Sequence, residues 1–122
     1  MHESLKQLSA WKNVVPVELR GTGITVYVRT WDAHAYGRWT KVVMNAKDDL
    51  QSETKLRAIV MACTLCDADG VLMLKSEQEA EQFVRDTAAL LVDQIYEAAA
   101  ELNEIGKDRK KSKNSDGQSS GK

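Results

Sequence analysis

The chain has no apolar run approaching the ~20 residues of a membrane span. Its first residues, Met1-His2-Glu3-Ser4-Leu5-Lys6, lack the apolar core of a secretory signal. Two cysteines in a chain without a signal point to free thiols in a reducing cytoplasm. They form a single Cys63-x-x-Cys66 pair, half of what a structural zinc needs, and neither His2 nor His34 has ligand spacing. No metal and no cofactor is therefore expected, and both thiols are read as core groups. There is one Phe, so the core is modest, although three Trp and three Tyr add large apolar area. No internal repeat is present, and the segment Gly106–Lys122 contains no hydrophobic residue.

Catalytic signatures are also missing. Arg20-Gly21-Thr22-Gly23 has glycines but no following Lys-Ser/Thr, and it lies between two strand-like runs rather than before a helix, so it is no phosphate loop. Asp67-Ala68-Asp69-Gly70 would need Leu65 and Ser76 as the first and twelfth ligands of a calcium loop; neither is a carboxylate, and the segment is read as a turn. No motif sets a nucleophile beside a base, and His34 is read as a surface or packing residue. The expectation is a binding protein, not an enzyme.

What is present suits one domain. The 122 residues are 43% hydrophobic and 29% charged, with a net charge of −1. The charge is uneven. Gly106–Lys122 holds six basic residues and two acidic ones, so this end is +4 and the body −5. That composition predicts a domain over residues 1–105 followed by a disordered basic tail over 106–122.

The body reads as α+β, an N-terminal β-hairpin followed by a mostly α-helical bundle. Residues 2–11 suit a short amphipathic helix with Leu5, Leu8 and Trp11 on one side. Val15, Val17 and Leu19, then Ile24, Val26 and Val28, alternate with polar or outward residues, the period of strands. Pro16 lacks an N–H and marks the first strand as an edge. From Asp32 the period becomes helical through Ala35, Tyr36, Trp39, Val42 and Val43, with Thr30 as N-cap. Gly37 inside that helix costs about 1 kcal/mol against Ala. A further helix runs from Ser52 to about Cys66 on Leu56, Ile59, Val60 and Cys63. Asp69-Gly70 supplies positive-φ turn positions. Val71–Leu74 is extended, and Ser76 to Glu79 is a capping box. Helix follows, with a break near Asp86-Thr87, then a stripe of Leu91, Ile95, Ala98, Leu102 and Ile105 that Gly106 terminates.

Aromatic placement bears on function. Tyr36 and Trp39 are expected in the core, and Tyr27 and Trp31 at a contact surface. A rival reading is a small nucleic-acid-binding module, with these rings stacking bases and Arg20, Arg29, Arg38 and the basic tail on phosphates. The body charge of −5 opposes it.

The order of parts resembles the tail assembly chaperones of long-tailed (siphovirus-type) bacteriophages. The resemblance is carried by Val15-Pro16-Val17 before the hairpin, Gly23–Arg29, and Arg57-Ala58-Ile59-Val60 ahead of Cys66–Gly70. Ser76–Ala80, the Ala98–Asn103 end and the Lys- and Ser-rich tail complete it. It implies a chaperone that binds and solubilises the tape measure protein and helps recruit tail tube protein. Such a chaperone works in the host cell cytoplasm and is absent from the mature virion. It also implies a programmed frameshift near the end of the reading frame, for which Gly106-Lys107, Lys110-Lys111 and Gly121-Lys122 are compatible codon pairs. Masking an apolar helix reversibly favours many modest contacts multiplied by self-association. The surfaces assigned to client or self-association are the hairpin edge with Tyr27 and Trp31, and the last helix with Leu91, Ile95 and Leu102. Membrane is not an expected partner.

Overall fold

A computed structural model describes residues 1–106; the basic tail expected over 106–122 lies outside the described residues, apart from Gly106. The fold is α+β. The elements are α1 (Glu3–Ala10), β1 (Val14–Leu19), β2 (Ile24–Arg29), α2 (Ala33–Asn45), α3 (Leu50–Thr64), β3 (Leu65–Cys66), α4 (Glu77–Asp86) and α5 (Ala89–Asn103).

β1 and β2 form the expected hairpin. Val15 faces Val28, Val17 faces Val26 and Leu19 faces Ile24 across the ladder, so the two alternating apolar sets share one side. β1 is an edge strand, and Pro16 sits in it opposite Tyr27. The other edge of β2 takes β3 antiparallel, Val28 opposite Leu65 and Tyr27 opposite Cys66. Leu65 and Cys66 thus leave the helical run that periodicity extends to Cys66. Pairing with β2 outweighs local preference there.

Helix starts differ from expectation at two places. Thr30 does not cap α2. Its hydroxyl accepts the N–H of Asn13 and its own N–H donates to the Asn13 carbonyl, closing the open end of the hairpin. Asp32 takes the cap instead, accepting the N–H of Ala35 at 2.8 Å. α3 begins two residues before Ser52, because Asp49 accepts the Ser52 N–H at 2.8 Å. At α4 the capping box forms: the Ser76 hydroxyl accepts the Glu79 N–H, while the Glu79 carboxylate reaches one residue further back, to the N–H of Lys75. The break before α5 is present, but its N-cap, Ala88, supplies no side-chain bond.

α3 is the central helix. Ala58, Ile59, Val60 and Met61 are all buried, so apolar contact surrounds it rather than meeting one face. α2 and α4 flank it, and α5 lies against it and against both hairpin strands. Val28, Leu65, Met61, Val92, Ile95 and Ala99 meet in the core between them. Two buried amides fasten α5 to the hairpin. Gln94 Oε1 accepts the N–H of Arg20 at 2.9 Å, and Asn103 Oδ1 accepts the N–H of Trp31 at 2.9 Å. α5 therefore runs in the same sense as β2. It ends at Asn103, and the left-handed residue behind it is Glu104 (φ 56°), ahead of Gly106.

Candidate protein-binding surfaces

The expected contact residues separate into two groups. Ile95 is 1% exposed, and Leu91 and Leu102 pack against the core cluster around it. The apolar stripe of α5 packs on the molecule's own sheet and α3, with Ile95 enclosed and Leu91 and Leu102 half-buried. A stripe on a terminal helix reads the same whether it faces a core or a client, and only the position of the hairpin decides.

Tyr27 and Trp31 are half-buried. Tyr27 lies on the sheet face opposite the core set, between Pro16 and Cys66. Trp31 packs edge-on to Tyr36, with ring centroids 6.3 Å apart, and tilted against Trp39 at 6.2 Å. Tyr36, expected in the core, is 41% exposed, because the aromatic group sits at the rim of α2. His34 is exposed on the same helix.

The apolar surface that periodicity undervalued is α1. His2 caps it, Nδ1 accepting the Ser4 N–H at 3.1 Å. None of its residues is buried. Leu5, Leu8 and the following Trp11 are 53%, 70% and 67% exposed. A second exposed apolar group, Val43, Met44 and Leu50, marks the corner between α2 and α3. The i, i+3, i+6 spacing of Leu5, Leu8 and Trp11 was the available signal for such a face; nothing in the sequence indicates that the rest of the chain leaves it uncovered.

A mixed-charge cleft of about 490 Å³ opens between α2, α3 and the start of α4. Arg29, Arg38, Lys75, Asp32 and Glu77 line it over Cys63 and Leu74. Arg38 pairs with Glu77, and its other nitrogen lies 4.0 Å from Cys63 Sγ. Burial pushes the Cys63 thiol up, with Arg38 opposing. Burial also raises the Cys66 thiol, against the pull of Arg29. Neither cysteine is in a disulfide. Among the described residues no group of three or more His, Cys, Asp or Glu is placed to hold a metal ion. No described helix is long and apolar enough to cross a membrane.

The Asp67–Gly70 turn is built by one side chain. Asp67 Oδ1 accepts the N–H groups of Asp69 and Val71, and the Asp67 carbonyl accepts that of Gly70. Of the two positions expected at positive φ, Gly70 alone takes it. Arg29 Nη1 donates to the Gly70 carbonyl at 2.7 Å, holding the turn against the end of β2.

The fold is similar to that of a solved protein. The bacteriophage HK97 tail assembly chaperone matches it with a TM-score of 0.57 at 21% identity, over 88% of this chain and 99% of that one. No family model and no curated protein matches the sequence. The overlap with the chaperone spans nearly all of its length, so the likeness concerns a whole molecule rather than one shared hairpin.

Proposed function

We propose that the chain is a tail assembly chaperone of a long-tailed bacteriophage. It binds and solubilises the tape measure protein, helps recruit tail tube subunits, acts in the host cell cytoplasm and stays out of the mature virion. The observation that carries this reading is the fold shared with the HK97 tail assembly chaperone over 99% of that protein. The surface supports it physically. Leu5, Leu8 and Trp11 on α1, with Met44 and Leu50 at the α2–α3 corner, offer dispersed apolar contacts rather than one deep pocket. Such contacts mask an apolar helix reversibly, and self-association multiplies them. The chain catalyses no reaction in this role, and any longer frameshifted product shares the same domain.

Co-expression with the tape measure protein of the same phage tests the proposal. The tape measure protein is expected in the soluble fraction with this chain and in the insoluble fraction without it. The Leu8→Ser/Trp11→Ser variant is expected to lose that effect while remaining folded. Apolar contact changes little with salt. A module on six or more phosphates loses about 10³-fold between 50 and 200 mM. A tape measure protein that stays insoluble beside a chain retaining DNA or RNA in that steep manner would overturn the reading.

A further inference from the structure

The sheet continues past β3 by one more strand-like run. Leu72 stands opposite Cys66 in an antiparallel bridge. The Met73 N–H donates to the Leu65 carbonyl at 3.1 Å, and the Asp67 N–H to the Val71 carbonyl at 2.9 Å. Bonds from the flanking residues make Cys66 and Leu72 a non-hydrogen-bonded pair, in which the N–H and C=O of Leu72 turn away from β3. Side chains alternate along the run: Val71 and Met73 are exposed, Leu72 and Leu74 half-buried. Among the described residues no hydrogen bond involves the backbone of Leu72 or Leu74. A row of unpaired backbone groups is a template for a further strand. The opposite edge of the sheet, β1, carries Pro16, a residue that discourages such pairing.

This edge borders the cleft of about 490 Å³, a volume inside the ~300–1,000 Å³ of ligand sites. Leu72, Leu74 and Ala62 give the cleft an apolar wall, and Arg29 and Lys75 bring two cations. Its acidic residues are already engaged. Glu77 is paired with Arg38, and Asp32 caps α2. No ion pair among the described residues involves Arg29 or Lys75. Arg29 gives Nη1 to the Gly70 carbonyl, while its enclosed Nε has no acceptor among the described residues. A guanidinium with unused donors suits a carboxylate. Arg29 also shares a sheet face with Cys66 and Leu72, because it stands two positions from Tyr27, the partner of Cys66.

Strand edge, apolar wall and unpaired cations describe one bound shape. Strand addition takes its affinity from main-chain bonds and its specificity from alternate side chains. We propose that an extended segment of another protein adds to the sheet along Leu72–Leu74. On the face it shares with Leu72 this segment presents apolar side chains flanked by carboxylates. The apolar groups lie against Leu72 and Leu74, and the carboxylates meet Arg29 and Lys75. The site uses none of the α1 residues, and the inference does not depend on the chaperone reading.

The native chain and a synthetic heptapeptide, acetyl-Glu-Thr-Val-Thr-Val-Thr-Glu-amide, test it. The peptide places glutamates and valines on one face and threonines, good strand formers, on the other. With the peptide at about 1 mM, hydrogen exchange at the Leu72 amide is expected to slow about ten-fold, as for a Kd near 0.1 mM. Replacing both glutamates of the peptide by glutamine is expected to weaken binding about five-fold. Methylating every second amide nitrogen of the peptide is expected to abolish binding in one phase and spare it in the other, because a strand turns alternate N–H groups to opposite sides. Lys75→Glu, at an exposed position, is expected to weaken the glutamate peptide about two-fold or more and to spare the glutamine peptide. A Leu72 amide that exchanges equally fast with and without peptide would overturn the proposal. So would tolerance of methylation in both phases, or displacement of the peptide by an equal concentration of inorganic phosphate, which marks an anion site and not a strand site. Protection of Leu72 that rises with protein concentration alone would overturn it in favour of a second copy.

Discussion

Asn103 and Trp31 are joined across 72 positions of sequence: the side-chain oxygen of Asn103 accepts the Trp31 N–H at 2.9 Å. The amide nitrogen of the same side chain donates to the carbonyls of Arg29 and Ala99. One buried amide therefore holds the exit of β2 at the end of α5. Replacing Asn103 by Ala leaves backbone groups of both elements without these partners. Loss of about 1–3 kcal/mol is expected, read as a lower midpoint in chemical denaturation. An unshifted midpoint would show that water replaces the amide at no cost.

Ile95 and the α1 face are expected to respond in opposite ways. Ile95→Ala removes a side chain from the closed core and should cost about 2–5 kcal/mol. Leu8→Ser and Trp11→Ser, on exposed positions, should stay within about 0.5 kcal/mol of the native chain. Thermal melts of the three variants decide the matter. Equal losses at all three positions would mean that α1 is packed in solution.

The hairpin was legible because its two apolar sets alternate and a short glycine-containing turn joins them. The capping box at Ser76 was legible because hydroxyl and carboxylate stand at fixed spacing. Thr30 and Asp32 both have capping side chains, and only the ladder bond to Asn13 assigns Thr30 elsewhere. Leu65 and Cys66 continue the helical pattern of α3, and β2 alone draws them into the sheet. The same limit governs the binding surfaces. The apolar spacing of α5 and that of α1 were both readable, but which one is covered depends on the tertiary arrangement.

Two glycines should respond with opposite sign to the same substitution. Gly70 has φ +85°, and a Cβ there would lie 3.0 Å from Lys12 Cδ and 3.1 Å from Val14 Cγ2. The Lys12 stem can swing aside, whereas Val14 is fixed in β1. Gly70→Ala is expected to cost at least about 1–2 kcal/mol, the left-handed penalty alone. At Gly37, inside α2, a Cβ meets nothing within 4 Å, and Gly37→Ala should stabilise by about 1 kcal/mol. Denaturation midpoints that move the same way would contradict this account.

Cys63 and Cys66 should react slowly with thiol reagents in the native protein. Burial raises both thiols, and Cys66 is fully enclosed. The folded chain holds these protons more tightly than the unfolded chain. The associated stability is complete below the ordinary thiol range and is lost as pH rises through it toward the folded values. A denaturation series toward alkaline pH is expected to show that fall, and the Cys63→Ala/Cys66→Ala variant to show less of it. The double variant should cost a few kcal/mol through lost packing, about the range of core truncations. Protein purified without added metal is expected to hold no stoichiometric zinc.

Because no residue of α1 is buried, the leading helix adds nothing to the core that Val28, Met61 and Ile95 enclose. Selection can therefore rewrite Leu5, Leu8 and Trp11 without passing through an unstable intermediate. A lineage carrying this architecture is free to vary its α1 surface while the rest keeps its shape.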